Sequence, residues 1–188
     1  MAVFFYGCVS LDGYLADKRH GLDWLYDSGT PEETGYARFY RRMDVTVMGR
    51  RTFQAVEKEA DSPYPATENY VFTHQARLSR GDFLPVSGDP GEFVKRLGPE
   101  KNIWVVGGNT VLAPLLDRDM VDCLVIQTAP VLLGAGIPLF TQREGPKRFL
   151  LERVNRYGQF SELVLCKPDF AAQYRQIMQA VNSNDEPL

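Results

Sequence analysis

The segment Ile103-Trp104-Val105-Val106-Gly107-Gly108-Asn109-Thr110 decides the fold of this chain. Its apolar run predicts a buried strand, and the two glycines end that strand before a short helix over 110–116. Asn109 or Thr110 can cap the helix, whose free backbone N–H groups attract phosphate, and the glycines let a ligand approach the backbone. The alternative is a tight strand-to-helix turn without a ligand, because the full dinucleotide fingerprint is absent.

A second strand reaches a glycine in Val45-Thr46-Val47-Met48-Gly49-Arg50-Arg51-Thr52-Phe53. Arginine binds phosphate through two hydrogen bonds, and an arginine beside a ribose accommodates a 2′-phosphate. The alternative is a solvated first turn, but cations at a helix N-terminus are unfavourable unless an anion is present. Two such junctions in one chain favour a ligand with more than one phosphate, such as a dinucleotide.

The order of the remaining elements predicts an α/β domain. Apolar and β-branched runs predict strands over 2–9, 44–48, 69–73, 102–106, 121–128, 148–156 and 161–167, and amphipathic patterns predict helices over 31–43, 91–97, 110–116 and 169–181. Alternation in the first two thirds favours a largely parallel sheet, and consecutive strands later favour an antiparallel edge. Asp12-Gly13 between apolar residues predicts a hairpin turn. We assign 1–168 to one domain and 169–188 to a C-terminal amphipathic helix and tail.

Composition excludes several classes of function. The chain has 188 residues, 44% of them hydrophobic, and a net charge of −3, which argues against a nucleic-acid partner. No apolar run approaches the roughly 20 residues that cross a bilayer, and the N-terminus has no basic leader. Three cysteines in apolar runs indicate reduced thiols in a cytoplasmic protein. We expect no metal site, because no Cys-x-x-Cys or His-Glu pair is present.

Four segments in order resemble the dihydrofolate reductase-like superfamily, and most closely its branch related to the reductase domain of bacterial riboflavin biosynthesis. They are Ser10–Ala16, Met48–Phe53, Trp104–Gly108 and Pro130–Phe140, and the resemblance covers roughly residues 2–167. It implies a mixed, mostly parallel eight-stranded sheet flanked by helices, with an antiparallel C-terminal edge. It also implies that NADPH binds in an extended cleft.

The resemblance implies roles for individual residues. The expected cofactor contacts are Cys8, Leu15, Gly49, Arg50, Arg51, Thr52, Thr73, His74, Gly107, Gly108, Asn109 and Thr110. Ser10 and Trp24 would contact the substrate. The candidate catalytic acids are Glu33 and Asp12. Each residue also has a structural alternative to catalysis, since Glu33 can complete a helix capping box and Asp12 can stabilise the turn.

The implied activity is hydride transfer from NADPH to a C=N or C=O bond of a small heterocycle. The expected substrate is a ribosylaminopyrimidine, as for a 5-amino-6-(5-phosphoribosylamino)uracil reductase, or a pteridine. The alternative is a non-catalytic nucleotide-binding or regulatory module, because Val106 stands where the riboflavin branch usually has an acid. We expect a homodimer, a solvated face at Arg41 and Arg42, and packing of the helix over 169–181 on its own or a second subunit.

Overall fold

The structure of the protein is a computed structural model that describes residues 1–30 and 34–179. Within these ranges the strands are β1 (Ala2–Val9), β2 (Tyr14–Asp17), β3 (Val45–Gly49), β4 (Glu68–Phe72), β5 (Phe83–Val86), β6 (Asn102–Gly107), β7 (Cys123–Thr128), β8 (Gly136–Pro138), β9 (Leu150–Tyr157) and β10 (Phe160–Cys166). The helices are α1 (Asp23–Tyr26), α2 (Tyr36–Tyr40), α3 (Arg50–Val56), α4 (Pro90–Arg96), α5 (Asn109–Asp117) and α6 (Ala171–Gln179).

Eight strands form the main sheet in the order β5-β4-β3-β6-β1-β7-β10-β9. All neighbours from β5 to β7 are parallel, and β10 pairs antiparallel with both β7 and β9. The fold class is therefore confirmed: a mixed, mostly parallel sheet flanked by helices, with an antiparallel C-terminal edge.

The sheet buries both of its faces, so its central strands are apolar at nearly every position. On one face, Phe4 and Tyr6 pack with residues of α2, α3 and α6. On the other, Val3 and Phe5 pack with residues of α4 and α5. Because side chains alternate along a strand, β1 contributes to both cores in turn.

The hairpin predicted at Asp12-Gly13 forms only in part. A tight turn is present, since the Ser10 N–H donates to the Tyr14 carbonyl (2.9 Å) and Gly13 has φ +85. However, β2 pairs antiparallel with β8 rather than continuing along β1. Gly136 permits this pairing, because a Cβ there would lie 2.2 Å from the Ala16 carbonyl oxygen.

Helix α2 is shorter than the helix predicted over 31–43, and the proposed capping box includes positions outside the described residues. Its apolar face is as predicted, since Phe39 and Met43 are buried in the first core. The prediction that Arg42 lies on a solvated face is wrong, because that side chain is buried.

Helix α6 packs on its own chain. Tyr174 and Met178 are buried with Phe4 in the first core. Arg42 donates from Nε to the Ile177 carbonyl (2.8 Å) and from Nη2 to the Met178 carbonyl (3.1 Å). These carbonyls lie in the last turn of α6, where cations are favourable. Within the described ranges, no helix is both long and apolar enough to span a membrane.

The bonds from Arg42 to α6 predict a stability effect. Arg42→Met keeps the aliphatic stem but leaves the Ile177 carbonyl without its charged donor, while the Met178 carbonyl keeps only the bond from Arg38 (2.9 Å). We therefore expect a loss of about 2 kcal/mol in the free energy of unfolding. Urea denaturation measures the loss. Lys58→Met, at an exposed position of the same chain, serves as the control and is expected to change stability little. Equal effects of the two substitutions would contradict the role of Arg42.

Candidate functional site

A crevice opens where the connections of two neighbouring strands diverge. Strands β3 and β6 are parallel neighbours, and each runs directly into a helix. Helix α3 packs with the first core through Phe53, whereas α5 packs with the second through Leu112. The helices therefore leave the sheet on opposite sides, and such switch points at the carboxyl ends of parallel strands are where α/β sheets bind ligands.

The two strand ends approach each other closely in this crevice. A Cβ on Gly49 would lie 3.6 Å from Thr110 Oγ1 and 3.7 Å from the Gly108 nitrogen. A Cβ on Gly107 would lie 3.4 Å from Thr52 Oγ1. Gly107 has φ +143, and the Gly107–Gly108 peptide bond is cis. The two junctions identified in the sequence thus form one site, with the first turns of two helices side by side.

The crevice continues as a gap between β1 and β6. Pairing of these strands stops at Phe5 and Val105, although β1 runs on to Val9. Cys8 lies in the part of β1 that pairs with β7 but not with β6, and it is half-buried. Burial raises the pKa of its thiol to about 12. Leu15 packs against the second core nearby. Of the two expected nicotinamide contacts, Cys8 therefore lies beside the gap, and Leu15 lies in β2.

The two arginines after Gly49 have different surroundings. Arg50 pairs with Glu57 at 3.5 Å, and its guanidinium lies 5.1 Å from the centre of the Phe53 ring. Arg51 is exposed and forms no hydrogen bond or ion pair with the described residues. Arg51 is therefore available to an anion, whereas Arg50 already has partners on its own helix.

Thr73 and Asn109 flank the same edge of the sheet. Thr73 directly follows β4, the neighbour of β3, and its Oγ1 accepts a hydrogen bond from the Gln75 N–H (3.1 Å). His74 is exposed beside it. Asn109, the first residue of α5, donates from Nδ2 to the Pro138 carbonyl (2.9 Å). The Asn109 side chain thus fastens β8 to the crevice.

Ser10 and Asp12 connect two loops. Asp12 accepts hydrogen bonds from Ser10 Oγ (2.6 Å) and from the backbone N–H groups of Leu133 (3.2 Å) and Gly134 (2.7 Å). These bonds lower the pKa of the Asp12 carboxyl, with the bond from Ser10 contributing most. The structure gives Asp12 the role of joining the turn after β1 to the loop before β8. A catalytic role for Asp12 and substrate contact by Ser10 stay predictions.

The other expected substrate-side residues differ in what the structure describes. Trp24 lies in α1, and its indole N–H is buried without a hydrogen-bond partner. Glu33, the other candidate acid, lies outside the described residues. In the part of the chain that is described, no group of three or more histidines, cysteines or acidic residues is arranged to hold a metal ion.

Sequence reasoning missed a polar cluster at the same edge of the sheet. Gln127 and Glu162 are 5% and 3% exposed, and Gln127 donates from Nε2 to Tyr6 Oη (2.6 Å) and to Glu162 Oε2 (3.0 Å). Asn155 donates to Glu162 Oε1 (2.8 Å). The available signal was that Gln127 and Glu162 each interrupt a strand that is otherwise mostly apolar.

Comparison with protein families identifies the chain. The model of the RibD C-terminal domain matches residues 2–161, which is most of the sequence. The chain belongs to the RibD C-terminal domain family. The uncharacterized protein YwjB of Bacillus subtilis is 32% identical over 162 residues, which cover 84% of this chain and 93% of YwjB. The uncharacterized protein YyaP of the same organism is 26% identical over 161 residues, covering 78% of this chain and 83% of YyaP.

Solved structures share the fold. A protein of Shewanella sp. PV-4, provisionally assigned to riboflavin biosynthesis, superposes with a TM-score of 0.79 and 28% identity over 88% of this chain and 98% of its own. A deaminase/5-amino-6-(5-phosphoribosylamino)uracil reductase of Thermotoga maritima has a TM-score of 0.65 and 15% identity, covering 88% of this chain. The match spans only 56% of the Thermotoga chain. These likenesses confirm that the RibD-type, dihydrofolate reductase-like resemblance was correct.

The positive φ of Gly107 predicts a stability effect. Gly107→Ala places a side chain in a conformation that only glycine adopts readily, so we expect a loss of about 1–3 kcal/mol in the free energy of unfolding. Gly49→Ala is the matched control, because Gly49 has φ −82 and its nearest neighbouring atom lies at 3.6 Å. Chemical denaturation of both variants measures the difference, and a stable Gly107→Ala protein would contradict it.

The bonds to Asp12 predict a local effect. Asp12→Ala leaves the N–H groups of Leu133 and Gly134 without their acceptor, so we expect their hydrogen exchange to accelerate about tenfold or more. Exchange in the core strands should not change, which serves as the internal control. Because the folded state lowers the pKa of Asp12, its contribution to stability is present above the usual value of 3.8 and is lost as the pH falls through the lowered pKa. Unchanged exchange at both amides would contradict the role.

Proposed function

We propose that the protein is an NADPH-dependent reductase that transfers a hydride to a small heterocyclic substrate. The observation that carries the proposal is the meeting of the Gly49 and Gly107–Gly108 strand ends at the switch point of the sheet. Membership in the RibD C-terminal domain family supports it, since a structural relative carries a reductase activity in its name. NADPH, when bound, supplies the hydride from its nicotinamide C4.

The residues of the crevice fit a dinucleotide phosphate. Gly49 keeps open a space that a Cβ would narrow, and the backbone N–H groups that begin α3 and α5 border it. Arg51 would hold the 2′-phosphate, because its guanidinium has no partner among the described residues. Thr52 and Thr110 would contact the diphosphate from either side. Cys8 and Leu15 would lie against the nicotinamide.

The substrate half of the crevice would lie beyond the end of β1, on the side where β6 no longer pairs with it. The preferred substrate is a ribosylaminopyrimidine, because the Thermotoga relative is named a 5-amino-6-(5-phosphoribosylamino)uracil reductase. A pteridine is the other member of the class. The chain's own contribution to hydride transfer would be to place the substrate against the cofactor and to exclude water.

A non-catalytic nucleotide-binding module is the second candidate. Val106, directly before Gly107, gives the crevice an apolar side chain at the strand end, and it packs against the first core. No acid is therefore supplied from that position. Turnover of any pyrimidine or pteridine substrate with NADPH would remove this candidate.

The expected homodimer and cytoplasmic location stay predictions. Strand β9 forms an edge of the sheet and exposes Leu151 and Val154 by 59% and 60%. An apolar edge of this kind suits contact with a second copy.

The contrast between the arginines predicts the choice of nucleotide. Arg51→Gln should weaken NADPH binding about tenfold or more and leave NADH binding unchanged, because only NADPH carries the 2′-phosphate. Thermal unfolding across a titration of each nucleotide measures both affinities. Arg50→Gln should have a smaller effect, and Arg96→Gln, on α4, is the matched control.

Two results would contradict the proposal. If NADPH does not raise the unfolding temperature of the wild-type protein, NADPH is not its cofactor. Equal binding of NADPH and NADH by the wild type, with no effect of Arg51→Gln, would remove the role of Arg51.

A further inference from the structure

A row of polar side chains crosses four strands on one face of the sheet. Cys8 of β1 is in register with Gln127 of β7, Gln127 with Glu162 of β10, and Glu162 with Asn155 of β9. Residues directly opposite each other point to the same face, so all four side chains lie on the face of the first core. The row begins at Cys8, beside the gap between β1 and β6, and leads away from the crevice.

Glu162 is a buried carboxyl group without a cation. Its two oxygens accept hydrogen bonds from the amides of Gln127 and Asn155, and none of the ion pairs formed by the described residues includes it. A carboxyl group in this setting is costly to retain for stability alone, since an apolar residue of similar size would pack without desolvating a charge. Glu162 is connected through Gln127 to Cys8, which lies beside the crevice, and this connection points to recognition.

The carboxylate determines how the amide of Gln127 is oriented. A carboxylate can only accept hydrogen bonds, so the amide nitrogen of Gln127 must face Glu162. The same nitrogen also donates to Tyr6 Oη, and this uses both of its hydrogens. The carbonyl oxygen of Gln127 consequently points elsewhere, and the described residues give it no hydrogen bond. This oxygen is not among the fully buried atoms without a hydrogen-bond partner, so it keeps some contact with solvent and is open to a donor from a ligand.

We infer that Gln127 and Glu162 form a substrate-recognition element, in which Glu162 positions the Gln127 amide so that its carbonyl oxygen accepts a hydrogen bond from a ring N–H of the heterocycle. Gln127 contacts the substrate, and Glu162 is a positioning residue. The inference rests on the proposed function for the class of ligand and for its place beyond Cys8. It predicts preference for heterocycles with free ring N–H groups over their N-methylated forms.

Two small probes differ at the ring nitrogens: 5,6-diaminouracil has free ring N–H groups, and 5,6-diamino-1,3-dimethyluracil carries methyl groups there and has none. The wild type should bind the first about tenfold or more tighter, as one hydrogen bond in a buried site allows. Isothermal titration of each probe, with and without saturating NADPH, gives the ratio of affinities. The ratio should fall towards one in Gln127→Met and in the isosteric Glu162→Gln, whose amide no longer fixes the orientation of Gln127.

Controls separate recognition from folding and from the steric effect of the methyl groups. Glu68→Gln, at an exposed glutamate of β4 bonded to Lys101, should keep the wild-type ratio. NADPH binding should be unchanged in all three variants. If either Gln127→Met or Glu162→Gln fails to fold, the affinity ratio of the other variant tests the inference. A wild-type ratio near one, or a ratio that persists in Gln127→Met because methyl bulk alone produces it, would overturn the inference.

The design also distinguishes this inference from the proposed function. The wild-type protein could fail to bind NADPH and still discriminate between the uracils through Gln127. That result would contradict the proposed cofactor and support the recognition element. Wild-type protein that binds NADPH without discrimination would overturn only the recognition element.

Discussion

The close approach of two strand ends is the constraint on which the rest of the structure depends. Gly49 ends β3 and Gly107–Gly108 end β6, and a Cβ at position 49 would lie in van der Waals contact with the start of α5. From this junction the two following helices go to opposite faces of the sheet, and each covers a separate core. The crevice is therefore a consequence of the topology, because helices that diverge from neighbouring strands leave the carboxyl ends of those strands uncovered.

Much of this fold could be predicted from local sequence because its central strands are buried on both faces. Continuous apolar runs such as that before Gly107 are long enough to mark strands without alternation. The short strands β2, β5 and β8 were not predicted, since three or four residues show too little hydrophobic periodicity and β5 contains Pro85. The burial of Arg42 was not predicted either, because its acceptor is the carbonyl of Ile177, 135 positions later in the chain.

The two parts of the candidate site differed in how well they could be predicted. The proposed cofactor side consists of glycines and helix starts that stand together in the sequence, so motif order alone selects them as candidates. The polar row depends on register instead: Gln127 and Glu162 lie 35 positions apart and meet only because β7 and β10 pair in one alignment. A shift of one residue would turn either side chain to the other face. The local roles of Ser10 and Asp12 likewise required the partners at Leu133 and Gly134.

This difference has a consequence for how function varies on the fold. The proposed phosphate side of the crevice is formed mainly by backbone, which many sequences can preserve as long as the glycines remain. The proposed substrate side beyond β1 is formed by side chains such as Gln127, Glu162 and Tyr6, so its chemistry depends on which residues stand at these positions. Family membership therefore constrains the proposed cofactor more strongly than the substrate. In this chain a buried acidic side chain comes from β10 rather than from the strand before Gly107, and the proposed selection of the substrate therefore rests on the polar row.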